Sequence, residues 1–246
     1  MLQAVWALTV SVALQSAPSA AQAPDQPWPD DQPFWRIFQN LGHDFKSLPN
    51  LDSLLILGVG AVGALAVHPV DDEVSTWMAK QDYSSYAPLG DSLGEGWVHG
   101  VAAIGTYGIG RLAHDAKATH IGSDLIRAQM MNFVLTRSLK FAVDRERPGG
   151  GSHSFPSGHS SAAFTTASIF HGHFGWKVGA PAYAVSGFIA WARFRDNSHW
   201  VSDVVFGSAL GMAVGRAVIV GHQPRTWTVA PVATKGGGGL LFIKKY

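Results

Sequence analysis

The sequence predicts an all-α domain that ends in a short β-hairpin, and three observations carry that expectation. Between residues 35 and 220, apolar stretches of helical period or length recur, each closed by Pro, Gly or a capping residue. No strand–helix–strand alternation accompanies them, which argues against a parallel sheet. After Pro224 the composition shifts, and residues 226–233 and 239–246 read as strands separated by the glycines at 236–239.

Composition narrows the function. The 246 residues are 47% hydrophobic and 14% charged, against roughly 25% charged for an ordinary soluble domain. That balance points to a large core, a membrane surface, or both. A net charge of +1 excludes the global basic field of a nucleic-acid binder. Cysteine is absent, so disulfides, thiolate metal sites and cysteine nucleophiles are excluded.

Taken in order, residues 1–21 read as a secretory signal peptide. Residues 4–14 form an apolar run and Ser19, Ala20 and Ala21 offer small residues for cleavage, although no Lys or Arg precedes the run. Residues 22–34, rich in Pro and Asp, read as a linker. The helical domain then spans 35–223 and the hairpin 224–246. Trp35, Phe38, Leu41, Phe45 and Leu48 recur at helical spacing; the helix is expected to pack on the domain rather than lie in a membrane interface, because its polar face is poor in Lys and Arg.

Residues 53–70 are the most apolar stretch after the signal. Gly58, Gly60 and Gly63 match the dinucleotide-binding glycine pattern, but that pattern needs a βαβ unit and none follows. These glycines are expected to let helices approach closely. Asp71 or Asp72 can cap a short helix to about Lys80, and 81–96 reads as turns. Further helices are expected over 97–112, 124–143, 160–170, 178–194 and 200–220. On the last, Gly207, Gly211 and Gly215 repeat every four residues, a face suited to tight packing. Residues 53–70 include His68 and Pro69, and the apolar run 204–215 is short. An exported domain touching a membrane is therefore expected over a multi-span protein.

Three blocks carry chemistry. The first is Lys140, six residues, then Arg147-Pro148; the two cations share a face if the helix persists that far. Both suit phosphate oxygens, Lys as a point charge and Arg as a planar fork. The second is Pro156-Ser157-Gly158-His159, where Ser157 can cap the following helix. A helix N-terminus there, with Gly158 allowing close approach, suits a phosphate-like anion. The third is Arg193, five residues, His199, three residues, Asp203. His199 and Asp203 meet on one helix face, and a carboxylate on one imidazole nitrogen frees the other as nucleophile or base. Residue types alone do not choose between His159 and His199 as nucleophile.

These blocks resemble the type 2 phosphatidic acid phosphatase and vanadium-dependent haloperoxidase superfamily, whose motifs are Lys-x6-Arg-Pro, Pro-Ser-Gly-His and Ser-Arg-x5-His-x3-Asp. The resemblance covers about residues 124–215, with one departure: Ala192 stands where the family has serine before Arg193. It implies a helical bundle of the acid phosphatase/vanadium haloperoxidase type and a phosphohydrolase that uses neither metal nor cofactor. It also implies roles. His199 would attack phosphorus and carry a phosphohistidine, Asp203 would orient it, and His159 would protonate the leaving alkoxide. Lys140, Arg147 and Arg193 would neutralise the phosphoryl oxygens, with Ser157 and the Gly158 N–H adding hydrogen bonds.

The partner so implied is a phosphate ester or lipid phosphate, met at or near a membrane surface outside the cytoplasm; neither the substrate nor the oligomeric state is named. Two alternatives stand beside this reading: vanadate-dependent halide oxidation in the same pocket, and a non-catalytic phosphate-binding envelope protein. Zinc at His171 and His173 is disfavoured by their spacing. His43, His68, His99, His114, His120, His153 and His222 show no partnering pattern in sequence.

Overall fold

Asn50 shows how local chemistry sets the helices. Its side chain accepts from the Ser53 N–H at 3.0 Å and caps α2 (Leu51–Val67). Asp115 does the same for α6 (Ala116–Val143), accepting from the Ala118 N–H at 3.0 Å, and Ser157 caps α7 (Gly158–Phe174). In this computed structural model the remaining elements are α1 (Phe34–Ser47), α3 (Asp71–Ala79), α4 (Ala87–Gly94), α5 (Gly96–Leu112), α8 (Trp176–Arg195) and α9 (Val201–Gly221). A 3-10 turn, His68–Val70, joins α2 to α3. Antiparallel strands β1 (Thr226–Thr234) and β2 (Gly237–Lys245) pair from Thr226 opposite Lys245 to Thr234 opposite Gly237. The structure describes residues 33–80, 87–195, 197–221, 226–234 and 237–245. The expected signal peptide and nearly all of the linker lie outside them; Phe34, assigned to the linker, opens α1.

The bundle is built around α6, α7 and α9. Leu125, Ala128 and Met131 of α6 meet Ile169 of α7 and Leu210, Val214 and Val218 of α9, and Ala103 of α5 joins them. Along α9 the three spaced glycines are the seam with α7. A Cβ on Gly207 would lie 2.6 Å from the Ser157 carbonyl oxygen and one on Gly215 2.5 Å from Ser168 Cβ; one on Gly211 would collide with the Ser161 carbonyl. Gly60 of α2 does similar work, since a Cβ there would strike Ala209 of α9, and one on Gly63 would lie 3.3 Å from Val205 Cγ1; Gly58 has nothing within 4 Å, and Ser53 Oγ donates to the Ala213 carbonyl at 3.0 Å. Two of the three glycines in the dinucleotide-like pattern, Gly60 and Gly63, thus lie in a helix contact, and Gly58 does not.

Several expectations are corrected. The stretch 81–96, read as turns, contains α4, since Gly90 and Gly94 let it settle closely on Ala192 and Ile189 of α8. α6 begins eight residues before the expected 124, because the Asp115 cap starts it. Neither Asp71 nor Asp72 caps α3; Val70 stands at that position, and Asp71 is buried and turned toward α9. Leu41 and Phe45 of α1 and Leu48 just after it pack against the core, whereas Trp35 and Phe38 stay outside.

Two stretches, Leu51–Ala79 and Val201–Gly221, are long and apolar enough to cross a membrane. The second is mostly buried. The first exposes Leu54, Leu55, Val59, Val62 and Leu65, and α5 exposes Trp97, Val101 and Ile104. These outward apolar faces suit contact with lipid, and the protein is membrane-associated.

Candidate active site

The three sequence blocks meet at one end of the bundle. Lys140 lies in the last turn of α6, and Asp144, the next turn on, takes a left-handed conformation (φ 42°) that ends the helix. The chain then runs through a loop to Ser157 and into α7. This loop is tied to the one before α9: the Gly149 N–H donates to the Asn197 carbonyl at 2.9 Å, and the Ser157 N–H to the Asp203 carbonyl at 3.0 Å. The glycine seam holds the start of α9 against the start of α7.

His199 is almost fully buried, its Nδ1 3.6 Å from Asp203 Oδ2 and 3.5 Å from Ser154 Oγ. Asp203 is fully buried and further accepts from the Trp200 N–H at 3.0 Å and from the Ser154 hydroxyl. With Nδ1 turned to the acid, Nε2 is the nitrogen left for chemistry. Burial drives the His199 pKa down to about 4, against the pull of Asp203, so the ring is neutral near pH 7.

Lys140 Nζ donates to the His153 carbonyl at 2.7 Å. Its side chain borders the α7 N-terminus, where a Cβ on Gly158 would lie 3.9 Å from Lys140 Cε. Burial, with Arg147 nearby, lowers the Lys140 pKa to about 8. Arg147 does not share a helix face with Lys140, because α6 stops at Val143; it projects from the loop, with Nε donating to the Ser152 carbonyl at 3.2 Å. The fully buried Ser157 hydroxyl accepts from Ser160 Oγ at 2.9 Å and is occupied with capping.

His159 stands in the first turn of α7, facing the α4–α5 junction: its Nε2 is 3.5 Å from Glu95 Oε1 and 4.0 Å from Asp91 Oδ1. Among the described residues that buried nitrogen has no hydrogen-bond partner. Burial lowers the His159 pKa, Glu95 opposes this, and Lys140 and Arg147 add to it. Arg193, near the end of α8, pairs with Asp91. Ala192 is fully buried, and a Cβ on Gly90 would lie 2.7 Å from its Cβ. The methyl in place of a hydroxyl therefore goes with tight seating of α4.

Residues 122–227 match the PAP2 superfamily, and the match contains all three blocks. Over that stretch the chain is similar to the PAP2 superfamily. Over 80 residues it is 39% identical to a lipid A 1-phosphatase of Porphyromonas gingivalis, covering 31% of this chain and 18% of that protein. Over 76 residues it is 26% identical to a lipid A 4'-phosphatase of Helicobacter pylori, covering 31% of this chain and 38% of that protein. The chain thus matches well under half the length of these curated relatives. Its fold is similar to a transmembrane PAP2-type phosphatidylglycerolphosphate phosphatase from Bacillus subtilis, with TM-score 0.55 and 19% identity over 68% of this chain and 92% of that one. It is also similar to Aquifex aeolicus LpxE, with TM-score 0.52 and 22% identity over 61% and 94%. At these identities the likeness is one of fold.

The site also contains residues that sequence reasoning missed: Asp71, Asp91, Glu95, Arg145 and Ser154. Arg145 and Ser154 lie inside or beside the motifs, and their position was the only signal. The acids come from distant segments. Of the histidines without a sequence partner, His68 Nδ1 lies 3.0 Å from Asp71 Oδ2 and His99 Nδ1 2.9 Å from Thr166 Oγ1; His173, weighed above with His171 for zinc, has Nε2 2.9 Å from Asp124 Oδ2.

Proposed function

We propose that this protein hydrolyses a lipid phosphate monoester at a membrane surface outside the cytoplasm, through a phosphohistidine and without a metal ion. The observation that carries the reading is His199, buried and backed by Asp203, beside Lys140 and the N-terminus of α7. Similarity to two lipid A phosphatases supports a lipid-linked phosphate, as does the outward apolar surface of α2 and α5.

In the first step His199 Nε2 forms a bond to phosphorus as the ester P–O bond breaks, and the departing alkoxide takes a proton from His159. In the second, a water gives a proton to the now neutral His159 while its oxygen bonds phosphorus and the P–N bond breaks, releasing phosphate and restoring neutral His199 and the His159 imidazolium. Lys140, Arg147, Arg193 and the Gly158 N–H would balance the negative charge on the phosphoryl oxygens, while the buried Ser157 hydroxyl holds the cap of α7 that presents that N–H.

The test is a substrate panel with the purified chain: a water-soluble phosphomonoester, phosphatidic acid, a lipid A phosphate and a polyprenyl diphosphate. Hydrolysis that favours a lipid monoester, resists chelators and is inhibited by vanadate supports the reading. Phosphate binding without turnover on any member overturns it.

Two further results are expected. Since Lys140 is a cation below about pH 8 and loses its charge above, kcat/KM should fall as pH rises through about 8. Lys140→Arg should move that limb upward, because guanidinium keeps its charge; an unmoved limb assigns the titration elsewhere. Arg193 has to exchange the Asp91 carboxylate for phosphate. Asp91→Asn should therefore lower KM by about two- to fivefold, the scale of one partly exposed ion pair, and an unchanged or raised KM in steady-state assays would count against it.

A further inference from the structure

We infer that Arg145 is a positioning residue: by bridging the buried carboxylates of Asp71 and Asp203 it holds Asp203 in register with His199. The inference rests on the phosphatase reading and adds a residue pair to it. Arg145 lies in the loop after α6, between Lys140 and Arg147. Its Nη1 donates to Asp203 Oδ1 and to Ser202 Oγ, each at 2.7 Å. Its Nη2 donates to Asp71 Oδ2 at 2.8 Å and lies 3.1 Å from His68 Nδ1. The guanidinium sits over the Trp200 ring, 5.3 Å from its centroid. Asp71, from the start of α3, is fixed in turn by the Ser202 N–H at 3.0 Å and the Ser202 hydroxyl at 2.5 Å.

The two oxygens of Asp203 thus have separate partners: Oδ1 is anchored by Arg145, and Oδ2 faces His199, Ser154 and the Trp200 N–H. Asp71 and Asp203 are 3% and 0% exposed. Two carboxylates buried this deeply need their shared cation, and removing it leaves uncompensated charge. Without Arg145, Asp203 loses one of the bonds that set its plane, and the His199 ring loses its reference. Arg145 acts through Asp203, so its loss should reduce the chemical step more than substrate binding.

The experiment uses the full chain in detergent and a phosphomonoester that the wild type hydrolyses. Arg145→Met should lower kcat on the order of a hundredfold, the scale of a small misplacement of a reacting group, with KM changed less than about twofold. Arg145→Lys should recover part of kcat. Asp71→Asn, placed in the Arg145→Met background, should also recover part, because it removes one of the two stranded charges. A wild-type kcat in Arg145→Met, a KM effect as large as the kcat effect, or recovery by neither second change overturns the inference. Should Arg145→Met fail to fold, Arg145→Lys and Asp71→Asn alone decide: reduced kcat at unchanged KM supports it, and wild-type kcat in both overturns it. Full activity in His199→Ala would instead sink the phosphatase reading, and this inference with it. A dead His199→Ala beside an unaffected Arg145→Met sinks this inference alone.

Discussion

His199→Ala is expected to lower turnover by about a thousandfold or more, as removal of a covalent nucleophile does elsewhere. The variant should fold normally, because the ring's nearest polar partners, Asp203 and Ser154, keep each other's hydrogen bond. Far-UV circular dichroism checks the fold and steady-state hydrolysis checks the rate. His159→Ala should behave differently: an ester with a good leaving group needs less protonation, so it should be spared more than an alkyl phosphate. Substantial activity in His199→Ala would remove the phosphohistidine, and with it the roles given to Asp203 and Arg145.

The second large effect is on stability and arises far from the site. Arg127 on α6 is almost fully buried. Its Nη1 donates to Asp44 Oδ2 of α1 at 2.6 Å, and its Nη2 pairs with Asp124. Asp124 also receives His173 of α7 at 2.9 Å and lies 3.6 Å from His120. Arg127→Met strands two buried carboxylates and should cost about 3–5 kcal/mol, the usual result of breaking a buried ion pair from one side. Denaturation midpoints in one fixed detergent measure it. Removing the acids as well, with Asp44→Leu and Asp124→Leu, should recover much of the loss, since an apolar replacement of a whole buried network is often neutral. A midpoint unchanged in Arg127→Met would mean that the network contributes little to stability.

What was legible in the sequence was what local chemistry decides. Ser157 caps α7 through bonds within its own turn, and a capping serine before Gly158 and His159 is visible without any partner. The glycine stripe on α9 was legible because its period belongs to one helix. Distant partners were not. Asp71 looked like a helix cap because that is the local role of an acid before an apolar helix, whereas its actual donor, Ser202, is 131 positions away. α4 looked like a loop because Gly90 and Gly94 are poor helix formers; their value appears only against Ala192 and Ile189, where a side chain would not fit. Arg147 was set on the helix of Lys140 by counting turns, and the left-handed Asp144 defeats the count.

The seam between α7 and α9 has a mechanical consequence. With bare backbone meeting backbone at Gly207 and Gly211, His159 at the head of one helix and Asp203 at the head of the other are fastened into a single stiff unit. Shape adaptation to a bulky ester then falls to the opposite wall, where Asp91 and Glu95 meet the site across short, glycine-bearing α4. Tolerance for differently sized leaving groups should accordingly change with substitutions along that wall and stay insensitive to conservative ones in the seam's outer layer.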